Sequence, residues 1–193
     1  MHPLLKKQDE LFREATGLLN EIIVPMLKVF GKITIGGSYA YHLLSYPDID
    51  VDIVSDEASD ETYEKLCAKL VSLENVSAFK STNRTDRPVT GTRPKGYWLS
   101  PKIHYGENLW NLDIWLQKPA WYTGNTNVYE DALLSLSDEK RITILTLKEE
   151  LQKNNLYGFG KEFRGFDVYE GVIHGDVKTI AMLRQYKSEH QYN

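Results

Sequence analysis

The sequence predicts an α+β protein, in which a mixed sheet domain is followed by a helical appendage. Two patterns predict this class. Between residues 33 and 116, stretches in which apolar and polar residues alternate indicate strands, and apolar residues at steps of three and four indicate helices between them. After residue 127 only helical patterns recur. We therefore expect the sheet domain at residues 1–127 and the helical region at residues 128–193.

Helices are predicted where apolar residues recur at steps near three and four. They cover residues 4–30, 39–44, 60–75, 128–154 and 167–190. Pro25 is expected to kink or divide the first helix, and Ser38 is well placed to cap the second. Ser137 indicates a new helix start within the fourth region, and the last region is expected to break around Gly175.

Strands are predicted where β-branched and other apolar residues alternate with polar ones. They cover residues 33–35, 48–54, 76–80, 96–99, 103–105 and 109–116. Pro101 lies between the fourth and the fifth of these strands. Residues 81–95 contain Asn, Asp, Pro and Gly in a composition typical of an exposed loop.

Size and composition are those of a soluble protein with a sizeable core, at 193 residues of which 41% are hydrophobic. The chain has no run of about 18 apolar residues and no signal-peptide pattern, so we expect a cytoplasmic protein that does not enter a membrane. A single cysteine, Cys67, excludes an internal disulfide and a cysteine-rich zinc site. The net charge of -4 gives no general attraction to nucleic acid, although it leaves room for a local basic groove.

A glycine turn follows the first predicted strand. Gly36 and Gly37 allow the backbone to turn tightly or to approach a ligand, and Ser38 comes directly after them. Backbone N–H groups at such a turn, together with the positive end of a helix, can bind a phosphate group. The turn is therefore a candidate phosphate site.

Four aspartates are the candidate metal ligands. Asp48, Asp50 and Asp52 alternate with apolar residues, so a strand places all three carboxylates on one face. Asp113 lies in an apolar strand and shares its face with Asn111, and burying this carboxylate is costly unless a partner binds it. Carboxylate oxygens suit Mg²⁺. On an extended strand two alternate carboxylates, whose Cα atoms are about 6.6 Å apart, can converge on ions about 3.5–4 Å apart.

Positive charge is concentrated between residues 80 and 102 in a chain that is negative overall. This segment has one acid, Asp86, and its cationic residues are Lys80, Arg84, Arg87, Arg93, Lys95 and Lys102. The segment is either a solvated face or a phosphate-attracting lip over the acidic site.

The order of these features resembles the nucleotidyltransferase superfamily that includes DNA polymerase beta and the antibiotic nucleotidyltransferases. That pattern is a glycine followed by Gly or Ser, about ten further residues, an Asp-x-Asp or Asp-x-Glu doublet on a strand, and a third acid on another strand. Gly37-Ser38, Asp48-Ile49-Asp50 and Asp113 match it within residues 30–117. The resemblance implies a mixed, antiparallel-rich sheet with helices on one side, the nucleotidyltransferase fold.

Residue by residue, the resemblance implies that Gly37 and Ser38 contact the nucleotide phosphates and that Asp48 and Asp50 bind two Mg²⁺ ions. It also implies that Asp113 ligates one ion or acts as the base for an attacking hydroxyl. Asp50 and Asp52 form a second doublet. We prefer the first, because apolar residues then continue the strand and Asp48 is nearer the strand end at which the glycine turn is expected.

Other members often carry an arginine shortly after the serine, where this chain has Tyr39, Ala40, Tyr41 and His42. We therefore expect the cation for the phosphates to come from the basic segment. The candidates are Arg84, Arg87, Arg93 and Lys95.

The sequence thus favours a magnesium-dependent nucleotidyltransferase. A hydroxyl acceptor attacks the α-phosphorus of a nucleoside triphosphate and pyrophosphate departs, with two metal ions stabilising the attacking and leaving oxygens. A small hydroxylated molecule is the favoured acceptor, and a nucleic acid is less favoured. The alternative is a non-catalytic nucleotide-binding or regulatory protein of toxin-antitoxin type on the same fold. A third hypothesis is a calcium-stabilised structural protein that uses Asp48, Asp50 and Asp52.

Overall fold

The structure, a computed structural model, describes residues 1–86, 94–123, 130–158 and 160–190. Arg87 and Arg93, two of the predicted phosphate contacts, lie outside these residues. Five strands form one mixed sheet, and helices make up most of the remaining described chain. The predicted α+β class is therefore confirmed.

The helices and strands have the following bounds. The helices are α1 Pro3–Leu18, α2 Val24–Leu27, α3 Gly37–Ala40, α4 Asp60–Val71, α5 Glu130–Leu134, α6 Asp138–Lys153, α7 Gly165–His174 and α8 Ile180–Glu189. The strands are β1 Lys32–Gly36, β2 Asp48–Val54, β3 Val76–Asn83, β4 Tyr97–Tyr105 and β5 Asn108–Gln117. A π-helical turn, Leu19–Ile23, joins α1 to α2, and a 3₁₀ turn, Pro119–Trp121, follows β5.

The sheet has the strand order β1-β2-β5-β4-β3. Only β2 and β5 are parallel, and the other three neighbouring pairs are antiparallel. The antiparallel-rich character expected from the resemblance is therefore confirmed. Because β2 and β5 are the only parallel pair among the described strands, their residues advance in the same direction along the sheet.

Alternation along β2 and β5 gives the sheet a buried apolar face. Ile49, Val51 and Ile53 of β2 are buried, and so are Leu112 and Ile114 of β5. The aspartates and Asn111 occupy the alternate positions, which are partly exposed. The sequence therefore predicts correctly which residues of β2 and β5 face the core, because successive side chains on a strand point to opposite sides.

Two predictions for residues 76–105 are wrong. Residues 96–99 and 103–105 belong to one strand that continues through Pro101. The ladder from β4 to β5 passes from the pair Leu99 and Ile114 to the pair Lys102 and Asn111, so the missing N–H of the proline falls where these strands are not paired. In addition, β3 extends to Asn83, into the predicted loop.

The predicted helix at residues 39–44 is only the single turn α3. His42 has a positive φ of 54°, which interrupts a right-handed helix. Side chains of α6 then bind the backbone carbonyls that follow: Arg141 donates to the oxygen of His42 at 2.6 Å, and Lys148 donates to that of Leu43 at 2.7 Å. These tertiary hydrogen bonds replace the helical ones.

The described chain divides into two compact units. One contains residues 11–40 and 46–127, and therefore the whole sheet. The other contains residues 1–10, 41–45 and 128–193. The predicted division after residue 127 stays a prediction, with residues 1–10 and 41–45 grouped with the later helices. Among the described residues, no helix is long and apolar enough to cross a membrane.

Core packing of β5 gives a first prediction. Leu112 is 0% exposed, so Leu112→Ala is expected to lower the free energy of unfolding by about 2–5 kcal/mol through lost burial and a residual cavity. Leu109→Ala is the matched control, because Leu109 lies in the same strand and is 41% exposed. Urea unfolding followed by circular dichroism measures both. Equal losses for the two variants would contradict the assigned faces of β5.

Candidate functional site

The register of the sheet brings the predicted acids together. In the parallel pair of β2 and β5, Asp48 lies opposite Asn111, and Asp50 lies opposite Asp113. Neighbouring strands are about 4.8 Å apart, and residues paired in register point to the same face. Asp50 and Asp113 are therefore side by side. Asp52 follows on the same face, opposite Trp115.

The glycine turn lies against Asp50. Gly36, the last residue of β1, pairs with Asp50, and Gly37 adopts a φ of +61°. A Cβ atom built on Gly37 would lie 1.7 Å from Oδ2 of Asp50, so no other residue fits without displacing that carboxylate. The predicted proximity of the turn to the Asp48 and Asp50 end of β2 is seen in this pairing.

Neutral donors from β4 and β5 hold two of the carboxylates. The indole Nε1–H of Trp98 donates a short hydrogen bond to Oδ1 of Asp113, and this supplies the partner that the isolated acid required. Asn111 donates to Oδ1 of Asp48 at 2.7 Å, and Ser100 donates to the amide oxygen of Asn111 at 3.2 Å. The hydroxyl of Tyr46 lies 3.3 Å from Oδ2 of Asp48.

Burial and mutual repulsion disfavour ionisation here. Loss of solvent raises the pKa of Asp113 to about 6, the hydrogen bond from Trp98 opposes this change, and the charges of Asp48 and Asp52 add to it. Loss of solvent also raises the pKa of Asp52 to about 6. A cation bound among these carboxylates would relieve both effects, because it favours the ionised form.

The carboxylates face a cavity of about 260 Å³ within the sheet-containing unit. Gly37 lies in its wall together with Asp50 and Asp113, and the wall continues past Asp52 to the end of β5. The remaining lining residues are Val51, Pro94, Trp115, Gln117, Tyr122 and Thr123. Since Asp48 is not in this wall and Asp52 is, the cavity itself does not favour the first doublet over the second.

The other predicted site residues have different surroundings. Ser38 lies in the single turn α3, directly after the turn glycine. Arg84 is buried, and its backbone N–H donates to the oxygen of Gly96 at 2.9 Å. The ammonium of Lys95 lies 5.4 Å from the ring centroid of Trp121, next in sequence to the cavity residue Pro94. Their contacts with a nucleotide stay predictions.

The donor set suits Mg²⁺ in its chemistry, because three carboxylates on adjacent strands offer hard oxygen ligands. Within residues 1–86, 94–123, 130–158 and 160–190, however, no three His, Cys, Asp or Glu side chains are arranged so that they could hold a metal ion. Trp98 and Asn111 already bind one oxygen each of Asp113 and Asp48. The assignment of Asp48, Asp50 and Asp113 as metal ligands therefore stays a prediction.

Sequence reasoning missed several residues of this site. Asn111 was placed on the face of Asp113, but its hydrogen bond to Asp48 depends on the pairing of β2 with β5. The contact of Trp98 depends likewise on the pairing of β4 with β5. Gln117 and Tyr122, which line the cavity, carry no motif. A polar residue at the end of an apolar strand was the one signal for Gln117.

Comparisons with known proteins identify structures that have a similar fold. No protein-family model matches the chain, and no curated protein matches it in sequence. Among solved structures, it is similar to a cytoplasmic RNA terminal U-transferase, with a TM-score of 0.55 and 14% identity over 86% of this chain and 49% of that one. It is also similar to the non-canonical poly(A) polymerase GLD-2 in complex with GLD-3, with a TM-score of 0.55 and 14% identity over 99% and 64%.

A third similar structure is the Cid1 poly(U) polymerase bound to MgATP, with a TM-score of 0.53 and 15% identity over 82% of this chain and 48% of that one. The chain thus spans less than two thirds of the length of each of these proteins. At such low identity the similarity establishes the fold, which is that of the nucleotidyltransferases named in these structures.

The turn glycine gives a second prediction. Gly37→Ala is expected to destabilise the protein because alanine is strained at a φ of +61° and because its methyl group displaces Asp50. Gly160→Ala is the matched control, since Gly160 has a φ of +73° but nothing within 4 Å of the position that an alanine methyl group would take. The control should lose about 1–2 kcal/mol of unfolding free energy, and Gly37→Ala about 1–3 kcal/mol more. Equal losses in urea unfolding would contradict the contact with Asp50.

Asp113 gives a third prediction, which concerns the stability of the protein in EDTA, without bound metal. Its pKa is raised in the folded state from 3.8 to about 6, so the folded protein retains a proton that the unfolded chain releases, and stability falls as the pH rises through this interval. Asp113→Asn still accepts the Trp98 hydrogen bond and cannot ionise. It should therefore be more stable than the unchanged protein by about 3 kcal/mol at pH 7, and most of this difference should disappear by about pH 4.

Thermal unfolding between these pH values measures the difference. Asp56→Asn is the matched control, because Asp56 is an exposed aspartate just beyond β2. A stability gain for Asp113→Asn that is the same at both pH values would contradict the raised pKa of Asp113.

Proposed function

We propose that this protein transfers a nucleoside monophosphate from a nucleoside triphosphate to a hydroxyl acceptor, with release of pyrophosphate. The observation that carries the proposal is the side-by-side placement of Asp50 and Asp113 in one cavity wall with Gly37. The nucleotidyltransferase fold supports it. Nucleotidyl transfer needs a binding place for phosphates next to metal-binding carboxylates, and a glycine turn beside two aspartates suits both needs.

Each residue has a role in this proposal that follows from its surroundings. The missing side chain at Gly37 lets a triphosphate approach the backbone N–H groups of the turn, and Ser38 offers a hydroxyl beside it. Asp113 is mostly ionised above its pKa of about 6, and can take the proton of an attacking hydroxyl. Trp98 fixes the orientation of this carboxylate.

Magnesium is the proposed cofactor, as two ions. Asp48, Asp50 and Asp113 would hold them, and bound Mg²⁺ would supply positive charge to the phosphate oxygens. Asp52 is the alternative ligand to Asp48. It faces the cavity, whereas the carboxylate of Asp48 already accepts hydrogen bonds from Asn111 and Tyr46. The single cysteine fits the cytoplasm as the proposed compartment.

The proposed acceptor is the terminal hydroxyl of an RNA. The sequence favoured a small molecule, but the named similar structures are an RNA terminal U-transferase, a poly(A) polymerase and a poly(U) polymerase. A cavity of about 260 Å³ is slightly below the usual range of about 300–1,000 Å³ for a ligand pocket, so it suits a chain end whose remaining length lies outside.

A second candidate function is nucleotide binding without turnover, as in a regulatory protein. One observation favours it: Asp48 and Asp113 are already bonded to neutral protein donors. The presence of all three acids favours the enzyme instead. Pyrophosphate release decides between the two, because a regulatory protein binds the nucleotide and releases none.

Single substitutions give the fourth prediction. With Mg²⁺, nucleoside triphosphates and an RNA oligonucleotide, Asp50→Asn and Asp113→Asn should each lower pyrophosphate release at least about a hundredfold, because each removes charge that the transition state needs. Asp56→Asn should retain the full rate, since that exposed residue lies outside the cavity wall. Unchanged release by Asp50→Asn would contradict the proposed function.

The same assay separates the two doublets. If Asp48 is the second ligand on β2, Asp48→Asn should be as inactive as Asp50→Asn, while Asp52→Asn keeps most of its rate. The reverse order would assign the metal to Asp50 and Asp52. Both substitutions preserve side-chain size, so circular dichroism should show an unchanged fold for each.

A further inference from the structure

Two lysines and a tryptophan form a cluster next to the carboxylate cavity. The ammonium of Lys95 lies 5.4 Å from the ring centroid of Trp121, and that of Lys118 lies 5.3 Å from the same centroid. Both distances are within the range of a cation–π contact. We refer to Lys95, Lys118 and Trp121 as the rim cluster. Two like charges are thus held beside one aromatic ring.

A buried glutamine holds the rim cluster in place. Gln117 is only 2% exposed, and its Nε2 donates to the backbone oxygen of Lys95 at 2.8 Å and to that of Trp121 at 3.4 Å. Lys118 is its neighbour in sequence. The side-chain amide therefore ties the segment before β4 to the turn after β5, and fixes the backbone of all three members.

Within the described part of the chain, the positive charge of the rim cluster has no acidic partner. Among the residues that the structure describes, neither lysine forms a salt bridge or a side-chain hydrogen bond with an acid. The chain as a whole has a net charge of -4. Two unneutralised ammonium groups at one place in an acidic protein are a local site for an anion.

The rim cluster lies at one end of the cavity and the glycine turn lies at the other. Pro94, Gln117 and Tyr122, which adjoin its members in sequence, line the cavity. Gln117 is four residues beyond Asp113 on β5, or about 13 Å along an extended strand. Gly37, in contrast, touches Asp50, which is paired with Asp113. A ligand on the rim cluster is therefore separate from a triphosphate at the turn.

We propose that the rim cluster binds the single-stranded RNA acceptor a few nucleotides before its reacting end. An unpaired base stacks on Trp121, and the adjacent phosphates contact Lys95 and Lys118. This assigns Lys95 to the acceptor rather than to the triphosphate. The position of the RNA end rests on the proposed function, whereas binding of RNA to the cluster does not.

Fluorescence anisotropy with a labelled single-stranded oligouridylate tests the proposal on the full chain in EDTA, without nucleotide. Lys95→Gln/Lys118→Gln should raise the Kd at least about fivefold and reduce the slope of log Kd against log salt by about 1.4, or about 0.7 for each lost phosphate contact. Trp121→Ala should raise the Kd by about 5- to 150-fold with the slope unchanged, because it removes stacking but no charge.

The matched control is Lys65→Gln/Lys69→Gln on α4, which makes the same change in net charge and also removes a lysine that lies over a ring, Lys69 at 5.9 Å from Phe30. It should leave the Kd within about twofold. If this control weakens RNA binding as much as the rim double variant, the attraction is general and the proposal is wrong. Unchanged binding by the rim double variant would also overturn it.

Two further results separate this proposal from the proposed function. Asp50→Asn should bind the oligouridylate as the unchanged protein does, even if neither protein transfers nucleotides. Calorimetry with a nucleoside triphosphate and Mg²⁺ should give the same affinity for the unchanged protein and the rim double variant. If the double variant loses the nucleotide and keeps the RNA, the cluster is a nucleotide site and the proposal fails.

Discussion

The in-register parallel pairing of β2 and β5 is the constraint on which the candidate site depends. It places Asp50 opposite Asp113 and Asp48 opposite Asn111, on the face of the sheet that is not buried in the apolar core. A shift of the register by one residue would move every carboxylate of β2 into that core. The alternation of apolar and polar residues in both strands therefore determines the register that places the apolar side chains in the core and the carboxylates at the cavity.

Packing several aspartates close together on β2 and β5 destabilises the folded protein, and neighbouring residues partly offset this effect. Burial raises the pKa of Asp113 and of Asp52 to about 6, so the acidic face is destabilising when its carboxylates ionise without a cation beside them. Trp98 and Asn111 donate hydrogen bonds to the carboxylates, and Gly37 provides room for Asp50. Such a site gains most from a bound cation. The rim cluster, which adjoins the cavity residues Pro94, Gln117 and Tyr122 in sequence, adds two lysines that form no salt bridge with the described acids.

Local pattern was sufficient to predict β2, the faces of β5 and the glycine turn, because alternation and a glycine pair act over a few residues. Local pattern was not sufficient where residues distant in sequence determine the end of a helix or the pairing of a strand. Arg141 and Lys148 end the helix after Ala40, and β4 accepts Pro101 where it is paired with β3 and not with β5. The contacts of Trp98 and Gln117 follow from strand order, which no single stretch of sequence encodes.

The central claim is that the carboxylates of β2 and β5 form one cation site beside the glycine turn. Titration of the ¹³C-labelled protein with Mn²⁺, which broadens nearby nuclear resonances, tests it most directly. The account predicts that the side-chain carboxyl signals of Asp50 and Asp113 broaden first and together, before that of the exposed Asp56, and that excess Mg²⁺ restores them. Equal broadening of all three aspartates, or none at Asp50 and Asp113, would contradict it.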